Sequence, residues 1–148
     1  MCGGAAGAEK NAKSDWTARV AELAKPASGD VMFMAAGDTL WNHKIENNPD
    51  AGLQTLFQVM RGSDIAFVNF EQVLADSGYP TIKEISKADP SIISDFTWAG
   101  TNLVSLANNH MLDFGPKGLE TTLKTLDTAG IKHAGAGPNL AQALQPAV

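Results

Sequence analysis

Ser105-Leu106-Ala107-Asn108-Asn109-His110-Met111-Leu112-Asp113-Phe114-Gly115 is the stretch that decides how this chain folds. An apolar run stops there, and amide, imidazole and carboxylate groups crowd together before Gly115-Pro116 opens a helix. A turn needs only Gly, Asn or Asp, whereas His110 adds a group that ligates a metal or moves a proton. The plain alternative is a capped turn holding a satisfied histidine. A site is favoured because similar polar groups stand at the ends of the other expected strands, where open α/β sheets bind their ligands.

Working outward, residues 103–106 read as a strand, and the following helix carries Leu119, Leu123 and Leu126 until Gly130 stops it. Residues 131–134 form the next strand. Gly135-Ala136-Gly137 follows, Asn139 caps a last short helix, and Pro146-Ala147-Val148 reads as the start of a further strand. On the upstream side, residues 30–36 are a short apolar run between Gly29 and Gly37, expected to be a strand buried on both faces that ends at Gly37-Asp38. Pro49-Asp50 precede a helix with Leu53, Leu56, Phe57 and Met60 on one face, closed by Gly62. Residues 65–68 make the second strand, which ends at Asn69-Phe70-Glu71, and residues 72–88 read as a long loop. Asp89 and Pro90 then cap and open a helix with Ile92, Ile93 and Phe96 on its apolar face and Gly100 as its stop.

Strands alternating with amphipathic helices imply right-handed βαβ units, hence an α/β fold with a mostly parallel sheet and flanking helices. In such a sheet all strand C-termini share one edge, so Asp38, Asn69, Glu71, Asn109 and His110 are expected to converge there. Two carboxylates, one imidazole and two amides are mixed oxygen and nitrogen donors. They suit Mn²⁺, Fe, Zn²⁺ or Mg²⁺ rather than a thiolate metal, with Asp38 and Glu71 as the anionic ligands. Taken singly, Asp38 also suits a turn and Glu71 a solvated loop charge. His43 reads as a surface imidazole and His133 as a satisfied, partly buried one. Gly135-Ala136-Gly137 does not extend to a dinucleotide-binding GxGxxG, because Leu140 stands at the third glycine position. Neither a phosphate-loop pattern nor a Gly-x-Ser-x-Gly elbow occurs.

At 148 residues and 44% hydrophobic the chain is large enough for one domain with a real core. Its net charge of -5 and lack of a basic stripe argue against nucleic acid as the partner. Nowhere does an apolar run approach the ~20 residues of a membrane-spanning helix. Cys2 is the single cysteine, which excludes an intramolecular disulfide. Residues 1–13 are small-residue low complexity and read as a flexible tail. If a signal region precedes them, Cys2 is the acylated residue of a lipoprotein-like tether; otherwise its thiol is incidental. Residues 14–29 read as a short helix, with Ser14 as N-cap and Trp16, Val20 and Leu23 on one face, followed by a Pro26-Ala27-Ser28-Gly29 linker. The α/β portion is residues 30–148.

These motifs together resemble the bacterial poly-γ-glutamate capsule-synthesis (CapA-type) family, whose fold is similar to that of the calcineurin-like metallophosphoesterases. The residues that carry the resemblance are Gly37-Asp38, Asn69-Phe70-Glu71, the run from Ser105 to His110 with Asp113-Phe114-Gly115, and Gly135-Ala136-Gly137. The resemblance implies a divalent-metal site held by Asp38, Glu71 and Asn109. It further implies His110 as the catalytic group that stabilises the transition state or donates to the leaving group, with Asn69, Asn108 and Asp113 in support. The implied activity is metal-dependent hydrolysis or transfer at the cell envelope, outside the cytoplasm, on an anionic cell-surface polymer such as poly-γ-glutamate or with its synthesis machinery. Two departures stand out. Metallophosphoesterases carry a histidine two residues after the first aspartate, where this chain has Leu40. Their later histidine motifs would lie beyond Val148, so the resemblance covers the N-terminal portion of a domain expected to be truncated at its C-terminus. The competing expectation is a non-catalytic module that binds an anionic polymer or an assembly partner at the same edge.

Overall fold

The computed structural model describes residues 31–76 and 87–148, together with Ala18 and Gly29. The expected tail with Cys2, and the helix and linker over 14–29, lie outside the described residues apart from those two positions. In chain order the elements are β1 (Phe33–Thr39), α1 (Ala51–Arg61), β2 (Ile65–Phe70), β3 (Val73–Leu74) and β4 (Lys87–Ala88). A 3-10 turn over Pro90–Ile92 runs into α2 (Ile93–Ala99), followed by β5 (Leu103–Ser105), α3 (Gly115–Ala129), β6 (Lys132–Ala134) and α4 (Leu140–Ala143). β1, β2, β5 and β6 form one sheet in that order, and every neighbouring pair is parallel. The expected α/β fold with a mostly parallel sheet and flanking helices is therefore present.

Local chemistry sets the helix ends. Asp50 accepts from the Leu53 N–H at 2.8 Å and starts α1, and Asp89 accepts from the Ser91 N–H at 2.8 Å ahead of α2. Such caps satisfy N–H groups that have no partner inside the helix. Gly100 at φ 94° and Gly130 at φ 72° end α2 and α3 in the left-handed region that side chains disfavour. Asn139 caps α4 by accepting from Gln142 N–H.

The helices bury one face of the sheet. Ala66, Val68, Phe70 and Val104 on that face lie in one buried cluster with Phe57 and Met60 of α1, Phe96 and Ala99 of α2, and Leu126 of α3. Aromatic rings make up much of the contact: Trp41 and Phe96 lie 4.1 Å apart between centroids, and Phe70 and Phe96 lie 4.9 Å apart. Each such side chain contributes ~1.5–3 kcal/mol by leaving water. Asp95 of α2 is fully buried and holds the polar segment after β1 through the Ile45 N–H and through Lys44, 3.0 Å away. Burial pushes the Asp95 carboxyl up, but the Ile45 and Lys44 bonds outweigh it and hold it below the ordinary carboxylate value.

Four sequence expectations need correction. β1 is not buried on both faces: Phe33 stays 57% exposed, because α1, α2 and α3 pack on the opposite face. Nor does β1 end at Gly37-Asp38. It runs through them to Thr39, with a register shift between Ala35 and Asp38 against β2. Residues 72–88 are not simply a loop, since β3 and β4 pair in parallel, Val73 with Lys87 and Leu74 with Ala88. Thr122 of α3 secures this small pair by accepting from the buried Leu74 N–H at 2.9 Å. Residues 146–148 form no strand in the structure.

Gly100 also lets α1 and α2 approach: a Cβ there would lie 2.7 Å from Arg61 Cα and 2.8 Å from Arg61 N. Gly100→Ala is therefore expected to lower unfolding stability by more than ~1 kcal/mol, through both the positive φ and the backbone clash. Denaturant unfolding measures it, and a change within ~0.3 kcal/mol of zero would show that the helices separate without cost.

Candidate functional site

The register of the sheet brings the polar strand ends together. Asp38 of β1 lies opposite Asn69 of β2, and Asn69 lies opposite Ser105 of β5. The irregularity in β1 makes this possible. Between Ala35 and Asp38 β1 advances three residues while β2 advances two from Phe67 to Asn69. One extra residue in a strand exchanges the faces of all that follow. Thr39 thereby turns inward, and its hydroxyl donates to Asn69 O at 2.9 Å, fastening β1 to β2 beneath the site. Nothing in the residue types at 37–39 announced this role for Thr39.

Asn69 Nδ2 donates to Asp38 Oδ1 at 2.7 Å and lies 3.4 Å from Glu71 Oε2. One amide thus stands between the two carboxylates. The Asn69 amide, then Glu71, hold the Asp38 carboxyl below its ordinary value, while contact with Asp38, burial and the Asp38 charge push the Glu71 carboxyl up. Neighbouring acids pull their proton affinities apart in this way.

After β5 the chain turns over Asn108. Its Nδ2 donates to Phe70 O at 3.0 Å, and its Oδ1 accepts from the His110 N–H at 3.0 Å. One side chain thus fixes the His110 turn to the end of β2. The His110 ring is held on both sides: Nδ1 lies 2.8 Å from Asp113 Oδ2 and Nε2 lies 3.2 Å from Asn109 Nδ2. Glu71 Oε1 is 3.7 Å from Nε2. Asp113 is buried, His110 is half-buried and Asn109 is exposed. Gly135, at φ 99°, supports the same turn: a Cβ there would lie 2.7 Å from Ala107 N. A cleft of about 420 Å³ opens beside the cluster, lined among others by Asn108, Asn109, Met111, Leu112 and Gly135.

Asp38, Asn69, Glu71, Asn108, Asn109, His110 and Asp113 are therefore brought into one connected set. His43 stands apart, exposed beside Asn42. His133 faces α3, 3.0 Å from Asp127, and is partly buried. Among the described residues, no three His, Cys, Asp or Glu side chains close into a group able to hold a metal ion. Among those residues, too, no helix is long and apolar enough to cross a membrane.

Comparison with known proteins gives a consistent picture. The family described as bacterial capsule synthesis protein PGA_cap matches residues 26–148. An uncharacterized protein of Sinorhizobium fredii is 32% identical over 118 residues, 75% of this chain and 26% of its own length. A probable polyglutamine synthesis accessory protein of Mycobacterium tuberculosis is 34% identical over 88 residues, 58% of this chain and 23% of its own. The capsule biosynthesis protein CapA of Bacillus anthracis is 34% identical over 90 residues, 54% of this chain and 21% of its own. The chain thus spans about a quarter of the length of the curated relatives it matches.

The carboxylate pair has a pH signature. A raised Glu71 value means that the folded protein holds this proton more tightly than the unfolded chain does. Its contribution is present at low pH and is lost as pH rises through the folded value. Glu71→Gln retains a donor toward Asp38 and removes the second charge. Without added metal, the variant is expected to melt above the wild type at about pH 7 and together with it at about pH 3. Calorimetry at the two pH values decides; a wild type that melts higher at neutral pH would mean the pair is not repulsive.

Proposed function

This chain belongs to the bacterial capsule synthesis protein family, and from that premise we propose that it serves capsule biosynthesis at the cell envelope through a divalent-metal-dependent hydrolase or transferase site. The substrate class in this reading is an anionic cell-surface polymer of the poly-γ-glutamate kind, in keeping with the capsule and polyglutamine names of two relatives. The observation that carries the reading is the Asn69 amide standing between the Asp38 and Glu71 carboxylates next to His110. Two acids held by one amide, one raising the other, form a position where a cation would relieve repulsion.

The donor chemistry fits a hard divalent ion, Mn²⁺, Fe, Zn²⁺ or Mg²⁺, since the carboxylates are oxygen ligands. Asp38 and Glu71 would hold it, with Asn109 as a further donor. When bound, such an ion polarises a phosphoryl or amide oxygen and lowers the pKa of a water. The residues of the chain do the rest. Asn69 holds Asp38 in place, Asn108 fixes the turn that carries His110, and His110 moves a proton at Nε2 beside Glu71. A second reading, a binding edge without turnover, draws support from Leu40, which stands 54% exposed just after Thr39.

In the protein supplied with Mn²⁺, hydrolysis of phosphoester or γ-glutamyl substrates is expected. His110→Ala should lower turnover by ~10²–10⁴-fold, and Asp38→Ala should reduce the bound divalent metal. Metal content and turnover unchanged in both variants would sink the enzymatic reading. Binding of an anionic polymer with no Mn²⁺-dependent hydrolysis would favour the second.

A further inference from the structure

We propose that Asp113 is a positioning residue that fixes His110 in the tautomer carrying hydrogen on Nδ1, leaving the Nε2 lone pair toward Glu71 so that the ring acts first as a proton acceptor. The use of that lone pair in chemistry rests on the reading of this edge as a reactive site. The tautomer itself rests on geometry.

Two contacts on opposite sides of the ring agree. A carboxylate accepts hydrogen bonds, so Asp113 Oδ2 at 2.8 Å from Nδ1 requires the hydrogen on Nδ1. An amide NH₂ only donates, so Asn109 Nδ2 at 3.2 Å from Nε2 suits a lone pair there, over a longer and more exposed contact than that of Asp113. The Asp113 side chain is 3% exposed, which makes the contact costly to lose: a buried polar group without its partner is strongly disfavoured. The backbone sets the arrangement, because the Asp113 N–H donates to His110 O at 2.9 Å and closes a tight turn that keeps the two side chains together.

Glu71 Oε1, 3.7 Å from Nε2, is too far for a hydrogen bond but close enough to stabilise a charged ring. The order of events follows. A water or substrate hydroxyl near Nε2 gives up its proton, the O–H bond breaks and an N–H bond forms. The resulting imidazolium then lies between the carboxylates of Asp113 and Glu71, ready to return the proton to a leaving group. His110 donates, in this scheme, only after it has accepted.

His133 supplies an internal comparison, since its Nε2 rather than its Nδ1 lies 3.0 Å from a carboxylate, that of Asp127. The chain has 3 histidines, so their rings are separable in one spectrum. Long-range ¹H–¹⁵N correlation NMR on the metal-free protein, with neutral imidazoles, reads which nitrogen carries hydrogen. His110 is expected to show a protonated Nδ1 and a bare Nε2, and His133 the reverse. Asp113→Ala should move hydrogen at His110 to Nε2. Asp113→Asn, whose amide oxygen can still accept from Nδ1–H, should keep the wild-type pattern. Hydrogen on His110 Nε2 in the wild type overturns the proposal, as does a folded Asp113→Ala with an unchanged pattern. If the alanine variant fails to fold, the wild-type spectrum and Asp113→Asn still decide. Because the measurement reads the ring and not turnover, loss of the tautomer defeats this inference alone, whereas absent hydrolysis defeats the reading of the edge as reactive.

Discussion

Parallel strands cannot be joined by tight turns, and this single constraint organises the molecule. Each connection must cross back over the sheet, which is why α1, the α2 segment and α3 lie between successive members of the β1-β2-β5-β6 order. The same constraint gathers the strand C-termini on one edge, so residues distant in the chain meet there without any long-range signal of their own. Register then does the finer work. Opposed to Asn69, Asp38 comes within reach of its amide, and opposed to Phe70, Thr39 reaches the Asn69 carbonyl. Were β1 regular, Gly37 would stand opposite Asn69 and Asp38 opposite Phe70, on the face that the helices bury.

Core and site meet at Phe70. Its ring is fully buried against Phe96, while its carbonyl accepts from Asn108 at the sheet edge. The apolar layer therefore fixes the backbone to which the His110 turn is tied. Asp95 and Lys44 perform a similar service for the segment after β1, joining it to α2. The site is built on strand ends and their first turns, so its side chains inherit the rigidity of a packed layer.

Much of this was legible in the residues. Asp50, Asp89, Gly100, Gly130 and Asn139 mark helix ends because capping is a local matter of one side chain and three or four backbone groups. The set of polar strand ends could be listed from alternation alone, because a parallel sheet implies a shared edge. β3 and β4 were not legible. Two residues each, they exist through pairing and through Thr122, a partner 48 positions away from Leu74. The exposure of Phe33 was hidden for a related reason: apolar composition shows that a strand can be buried, not which of its faces finds a cover. Within the site, residue types suggested the chemistry, but the amide between two carboxylates and the carboxylate behind the imidazole depend on distances that spacing does not encode.

Charge links the two halves of the proposed function. Asp38, Glu71 and Asp113 make this edge acidic, within a chain whose net charge is -5. An anionic polymer approaching such an edge is repelled, and screening by salt weakens that repulsion only beyond about 8–10 Å. Contact at the distances of chemistry therefore requires positive charge between polymer and protein. An imidazolium at His110 would supply one such charge only after it had taken a proton, and a divalent cation held by Asp38 and Glu71 would supply two at the outset. An anionic substrate and a metal are thus not independent assumptions about this edge: the electrostatics make the first depend on the second.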